Sequence, residues 1–203
     1  MFMKKINLLV AMLMLATIGF SQEKVQFGIH AGINVSNEHA EGSSSGMSIS
    51  ANNKTKVGLN VGVDVPILIS NGFYVQPELS YSQLGGGSSS DGGKDNLSYL
   101  DIPVLIKYKL RNSGLGFYFG PQLGVLVAAK SKVENVSVDI KDYVKSTDFS
   151  VILGAEYYFV NGFGLSARFR PAVTNIAKDN VLNTLGVNSL KNQAFTFTVG
   201  YRF

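Results

Sequence analysis

Apolar and polar residues alternate along eight separate segments of this chain, with a period of two in each. That period puts successive side chains on opposite faces of an extended strand, so every segment predicts a β-strand with one oily and one wet face. In the first, Val25, Phe27, Ile29, Ala31, Ile33 and Val35 stand against Gln26, Gly28, His30, Gly32, Asn34 and Ser36. The second sets Val57, Leu59, Val61, Val63 and Val65 against Gly58, Asn60, Gly62 and Asp64. The third sets Phe73, Val75, Pro77, Leu79 and Tyr81 against Tyr74, Gln76, Glu78, Ser80 and Ser82. In the fourth, Leu100, Ile102, Val104, Ile106 and Tyr108 oppose Asp101, Pro103, Leu105, Lys107 and Lys109. The fifth runs from Leu115 to Val127, with Phe117, Phe119 and Leu123 opposite Tyr118, Gln122 and Leu126. The sixth sets Phe149, Val151, Leu153, Ala155, Tyr157 and Phe159 against Asp148, Ser150, Ile152, Gly154, Glu156 and Tyr158. The seventh, Phe163 to Thr174, puts Arg168 and Arg170 opposite Leu165 and Phe169. The eighth, AFTFTVGYRF, carries Phe195, Phe197, Val199, Tyr201 and Phe203 on one face, with Arg202 on the other.

The connections sharpen this picture. They are short after the second, fourth and sixth segments (66–72, 111–114 and 160–162) and long and polar after the odd ones (37–54, 84–96, 130–147 and 177–192). Alternating short and long connections are the habit of outer-membrane barrels, with tight periplasmic turns and longer external loops. Each segment also supplies the roughly 9–11 residues that a tilted strand needs to cross a bilayer. Aromatic residues of the oily face gather near both strand ends: Phe73, Tyr108, Phe117, Phe159, Phe163, Tyr201 and Phe203 by the short turns, and Tyr81, Phe149, Phe169 and Phe195 by the long loops. Two aromatic girdles mark two water–lipid boundaries. The predicted fold is therefore all-β: an eight-stranded antiparallel up-and-down transmembrane β-barrel, in which the last strand pairs with the first because hydrocarbon leaves no backbone group unsatisfied. An even strand count returns both ends of the mature chain to the periplasm.

The first residues, MFMKKINLLVAMLMLATIGFSQ, read as a cleaved secretory signal peptide: Lys4 and Lys5, an apolar core from Ile6 to Phe20, and a small-x-small site at Gly19–Ser21. Residues 1–21 would be removed, and 22–203 would form a single barrel domain in the outer membrane. The full chain carries 18 Lys and Arg against 14 Asp and Glu. Without Lys4 and Lys5 the surplus falls from +4 to +2, too small for a nucleic-acid-binding face. The chain has no cysteine, which excludes a lipoprotein anchor, a disulfide framework and a cysteine metal site.

If the oily face meets lipid, the wet face fills a bore that is only wide enough for its own side chains. It brings in acids at Asp64, Glu78, Asp101 and Glu156, and bases at Lys107, Lys109, Arg168, Arg170 and Arg202. Near-balanced charge in a narrow bore predicts a structural network of ion pairs, because an unpaired buried charge costs several kcal/mol. The sharper alternative, a catalytic carboxylate pair at Glu78 and Asp101, competes with the arginines for the same groups. His30 lies on the inward face; His39, beside Glu38 and Glu41 in the first external loop, could serve a surface enzyme acting on lipid or peptide. A soluble periplasmic barrel with the oily face turned inward around a ligand is a further alternative. No cofactor or metal set is apparent. The run Gly85–Lys94 lacks the glycine and the Ser or Thr of a phosphate-cradling loop and reads as a flexible tip. Met47, Ile49, Val181, Leu182, Leu185 and Val187 read as strand extensions within the long loops. Pro77, Pro103, Pro121 and Pro171 fall inside segments and predict bulges or strand ends, since a closed ladder has no free edge.

Several blocks resemble the PorT-like outer-membrane β-barrel family of Gram-negative bacteria: Gly72–Gln83 (GFYVQPELSYSQ), Tyr99–Tyr108 (YLDIPVLIKY), Gly120–Gly124 (GPQLG), Gly164–Phe169 (GLSARF) and Gly200–Phe203 (GYRF). The resemblance spans essentially the mature chain and implies a scaffold without a reaction; the founding member of that family is tied to protein secretion. The terminal aromatics Tyr201 and Phe203 likewise resemble the signal read by the barrel-assembly machinery of the outer membrane. The resulting expectation is a monomeric, non-enzymatic barrel embedded in outer-membrane lipid, serving the envelope as a scaffold, adhesion or secretion-accessory protein through its external loops, with envelope or secretion proteins as partners and no nucleic acid.

Overall fold

A computed structural model describes residues 26–44, 47–52, 54–87, 93–133, 136–171, 173–178 and 187–203. Among these residues eleven strands form in chain order: β1 (Gly28–Ser44), β2 (Met47–Asn52), β3 (Lys56–Asp64), β4 (Ile67–Ser70), β5 (Phe73–Leu84), β6 (Lys94–Lys109), β7 (Leu115–Val133), β8 (Val136–Asp139), β9 (Thr147–Tyr158), β10 (Phe163–Arg170) and β11 (Val187–Arg202). Eight of them, β1, β3, β5, β6, β7, β9, β10 and β11, pair antiparallel in sequence order, and β11 returns to β1. The closing seam runs from Gly28↔Arg202 to Gly42↔Val187, and the Phe203 amide donates to the Phe27 carbonyl at 2.9 Å. The last strand thus zips onto the first, and each of the eight barrel strands has a paired neighbour on both sides. The proposed signal peptide, residues 1–21, lies outside the described residues.

The alternation decides which face looks out. Ile29, Leu59, Val63, Leu165, Phe197 and Val199 are exposed, whereas Asn34, Asn60, Gln76, Asp101, Gln122 and Thr198 are buried. The oily face is outward and the wet face inward, opposite to what a soluble ligand-binding barrel requires. Outward aromatics pair across strands near the short turns, with Phe73–Tyr108 at 4.7 Å and Phe163–Tyr201 at 5.1 Å, and near the external ends with Phe169 stacked on Phe195 at 4.7 Å. Two of the short turns reverse through Gly72 and Gly162, whose positive φ of 88° and 87° suits a tight hairpin corner.

The predicted long loops are partly strand. β1 runs on to Ser44 and folds back as β2, so Met47 and Ile49 lie in a hairpin opposite Ser44 and Gly42. His39 is accordingly a strand residue, opposite Lys191 and Asn52, rather than part of a free loop. β7 extends to Val133 and is flanked by β8, while Val187 opens β11. Val181, Leu182 and Leu185, and Ser88–Gly92 of the glycine-rich tip, lie outside the described residues. On the periplasmic side, the connection after β3 holds the short strand β4, paired with β5.

The prolines behave differently from expectation in two cases. Pro171 follows the last residue of β10, and Pro77 sits where β5 changes partner from β4 to β3. Pro103 and Pro121, however, lie in mid-strand with no bulge. The β5–β6 ladder breaks between Pro77↔Val104 and Ser80↔Asp101, and the β6–β7 ladder between Pro103↔Gln122 and Ile106↔Phe119, yet each resumes in the same register. The missing N–H removes bonds, but long ladders on either side hold the strands in step. The bulge in this region is elsewhere: Ser98 pairs with Ala128 and Tyr99 with Leu126, leaving Val127 as an extra residue in β7.

Candidate functional site

Among the described residues, the bore concentrates buried ionisable groups. Each of four inward cations sits between a carboxylate and a tyrosine ring. Arg168 on β10 reaches Glu78 on β5 through two hydrogen bonds, at 2.8 and 3.4 Å, and lies 5.4 Å from the Tyr118 ring. β5 and β10 stand four places apart in a ring of eight strands, so this pair spans the full bore. Lys107 on β6 meets Glu156 on β9 at 2.8 Å and lies 5.5 Å from the Tyr74 ring. Arg202 on β11 pairs with Asp64 at 3.2 Å and with Glu156 at 3.6 Å, against the Tyr158 ring at 4.4 Å. Arg170 pairs with Asp148 and lies 5.9 Å from the Tyr99 ring. Gln76 knits the periplasmic layer together: its carbonyl oxygen accepts from Lys107 and Arg202, and its amide donates to Glu78 at 2.7 Å. His30 Nδ1 lies 3.6 Å from Asp64.

Room for the rings comes from glycine. Tyr118 faces Gly154 across β7 and β9, and Tyr158 faces Gly164 across β9 and β10; a β-carbon on either glycine would collide with the ring. The Tyr118 hydroxyl then bonds Ser166 at 2.7 Å.

Of the residues singled out in the sequence, Asp64, Glu78, Lys107, Glu156, Arg168, Arg170 and Arg202 meet partners in the bore. Two do not fit the expected network. Lys109 is exposed at the periplasmic mouth, beside Arg111 and Asn112, because the strand has left the bore by that level. Asp101 is buried, but among the described residues no cation is within ion-pair distance of it, and its Oδ1 lacks a hydrogen-bond partner. It borders a cavity of about 20 Å³ lined also by Asn60, Ser82, Gln122 and Arg168, room for about one water. Both Glu78 oxygens are engaged by Arg168, and one also by Gln76, so Glu78 and Asp101 do not form a free carboxylate pair facing a substrate space. Asp148, the partner of Arg170, was absent from the expected charge set although it shares the inward parity of Ser150 and Glu156. Among the described residues no group of His, Asp or Glu is arranged to hold a metal ion.

The external end of the bore is unlike the rest. Leu84, Leu97, Tyr99, Leu126, Ala129 and Ala194 line it and are closed over by Val144 and Ile176, with Ile140 packed alongside. Val144 and Ile176 belong to two different external connections. These are tied by Lys145 N–H to the Ile176 carbonyl at 2.7 Å and by Lys178 N–H to the Tyr143 carbonyl at 3.1 Å. An apolar cap therefore stops the bore from outside. Spacing alone did not reveal it, since Val144 and Ile176 fall outside every alternating segment.

The sequence signature of the outer membrane protein β-barrel domain matches residues 20–178. Among solved structures, the chain is similar to Neisserial surface protein A (NspA), with a TM-score of 0.54 at 15% identity, covering 87% of this chain and 97% of that one. It is also similar to Ail, the attachment invasion locus protein of Yersinia pestis, with a TM-score of 0.50 at 15% identity, covering 89% and 100%. No curated protein matches. A closed eight-stranded barrel with an oily exterior and a salt-bridged bore, matched along most of its length, places this chain in the outer membrane protein β-barrel domain family.

Proposed function

We propose that this protein is a non-enzymatic barrel of the outer membrane that serves the cell envelope as an adhesion, scaffold or secretion-accessory protein, acting through its external ribbons. The observation that carries this reading is the stopped bore: ion pairs cross it and an apolar cap closes its outer end. Among the described residues the bore is crossed by ion pairs and capped, and the surfaces that suit contact are the β1–β2 and β7–β8 ribbons. The latter exposes Val136 and Val138, with Tyr143 just beyond. Exposed apolar side chains on a projecting ribbon suit protein contact better than they suit water. The PorT-like blocks favour a secretion-accessory role within this reading. Export with loss of residues 1–21, and recognition of Tyr201 and Phe203 by the assembly machinery, belong to it as well; the two rings meet edge to face, with centroids 5.0 Å apart.

The test pairs conductance with attachment. The purified protein in planar bilayers is expected to show no steady single-channel current. Changing Val136, Val138 and Tyr143 together to Asp is expected to reduce attachment of protein-bearing cells to their target by more than about tenfold, the scale of losing one or two contact anchors. Heat-modifiable migration in detergent gels confirms that the variant barrel is folded. A well-defined current, with attachment unchanged in the variant, would replace this reading with transport.

A further inference from the structure

We propose that the outward face of the β6–β7 ribbon, just above the lipid-facing band, binds the phosphate groups of outer-leaflet lipids. The extra residue Val127 is the origin of this surface. Up to Leu126 the even positions of β7 face the bore; past the bulge Ala129 is buried, while Lys130 and Lys132 are exposed. A bulge re-aims the side chains that follow it, and here it turns two lysines from the bore to the exterior. On the neighbouring strand Lys94 is exposed and directly opposite Lys132, with Asn96 opposite Lys130. From the other side of β7, the Lys141 ammonium reaches the Val127 carbonyl at 3.1 Å.

Like charges directly across a strand pair oppose folding unless a counter-charge offsets them. Among the described residues the acid on this face is Asp139, opposite Lys130. Among the described residues no carboxylate lies within salt-bridge distance of Lys94, Lys130 or Lys132. The position identifies the missing anion. The last lipid-facing residues below are Leu100 and Val127, and Lys130 follows Val127 by three residues. A cation placed there meets the headgroup layer, where phosphate is the available anion and each nearby lysine adds attraction. This inference depends on which face meets lipid and not on the adhesion reading.

The full protein, reconstituted in phosphatidylcholine vesicles with a minor fraction of a diphosphorylated acylated glucosamine disaccharide, tests it by mass spectrometry of the lipid retained after detergent extraction. Replacing Lys94, Lys130 and Lys132 by Gln is expected to lower retention on the order of a hundredfold, and K130Q alone about fivefold. K109Q with R111Q at the periplasmic mouth is expected to leave it unchanged. Deleting Val127 keeps every lysine but reverses the parity, and is expected to lower retention as the triple variant does. Unchanged retention in the folded triple variant would overturn the proposal, and so would equal retention of the dephosphorylated disaccharide. Equally strong competition by soluble inorganic phosphate, or tighter binding of polyglutamate than of the lipid, would point to a free anion or an acidic protein instead and would also overturn it.

Discussion

The two ends of the bore are closed by different physics. Toward the periplasm, Lys107, Arg168 and Arg202 are locked to Glu156, Glu78 and Asp64 across strands that are not neighbours. At the external end, Leu84, Leu97 and Leu126 meet Val144 and Ile176, which arrive from loops. The charged layer holds strands at fixed separations, because each ion pair has a short range and a direction. The apolar cap holds loops down and is indifferent to direction. Rigidity of the barrel thus rests with the charged layers, and closure toward the outside rests with the cap.

The largest expected effect comes from breaking the pair that spans the bore. Arg168→Ala leaves Glu78 buried without its cation and is expected to cost about 3–5 kcal/mol, read from urea unfolding of the protein in vesicles. Changing both partners, R168M with E78Q, is expected to recover most of that loss, because neither side then buries an unpaired charge; no recovery would mean that the pair does not act as a unit. Next comes the cap: Leu97→Ala is expected to cost about 2–4 kcal/mol. It should also speed proteolysis of the external connections while conductance stays absent, since the ion pairs still block the bore. A current in this variant would show that the cap alone seals the barrel. Gly154→Ala pushes against the Tyr118 ring and is expected to cost about 1–3 kcal/mol, with a change in tyrosine near-ultraviolet dichroism as its mark. The smallest effect is Pro103→Ala, which restores one ladder donor between strands already in register. A gain of about 1 kcal/mol or less, with a newly protected amide at position 103 in hydrogen exchange, would fit; a shift of the β5–β6 register would not.

Most of the fold was legible. The alternation in Val57–Val65 or Phe149–Phe159 is a local property, and it alone tells that Val61 and Leu153 lie opposite in parity to Asn60 and Gly154. The short corners at Gly72 and Gly162 were visible for the same reason. The charge network was legible by residue but not by pairing. Nothing near Glu78 in the chain names Arg168, ninety positions away, as its partner; that choice depends on how many strands close the ring and how they are staggered. Lys109 was misplaced because parity does not say where a strand leaves the bore. Asp101 has the right parity but sits at a level where neighbouring cations are taken by Glu78 and Asp148.

The sequence by itself determined the eight barrel strands, their oily and wet faces and the alternation of short and long connections, because these follow from side-chain direction within one strand and from turn length. Only the tertiary structure decided which inward charges pair, that Val144 and Ile176 cap the bore, that Pro103 and Pro121 interrupt a ladder without shifting it, and that Val127 turns Lys130 and Lys132 outward. Each of these depends on register between strands distant in the chain, and one extra residue in a ladder reverses every facing beyond it.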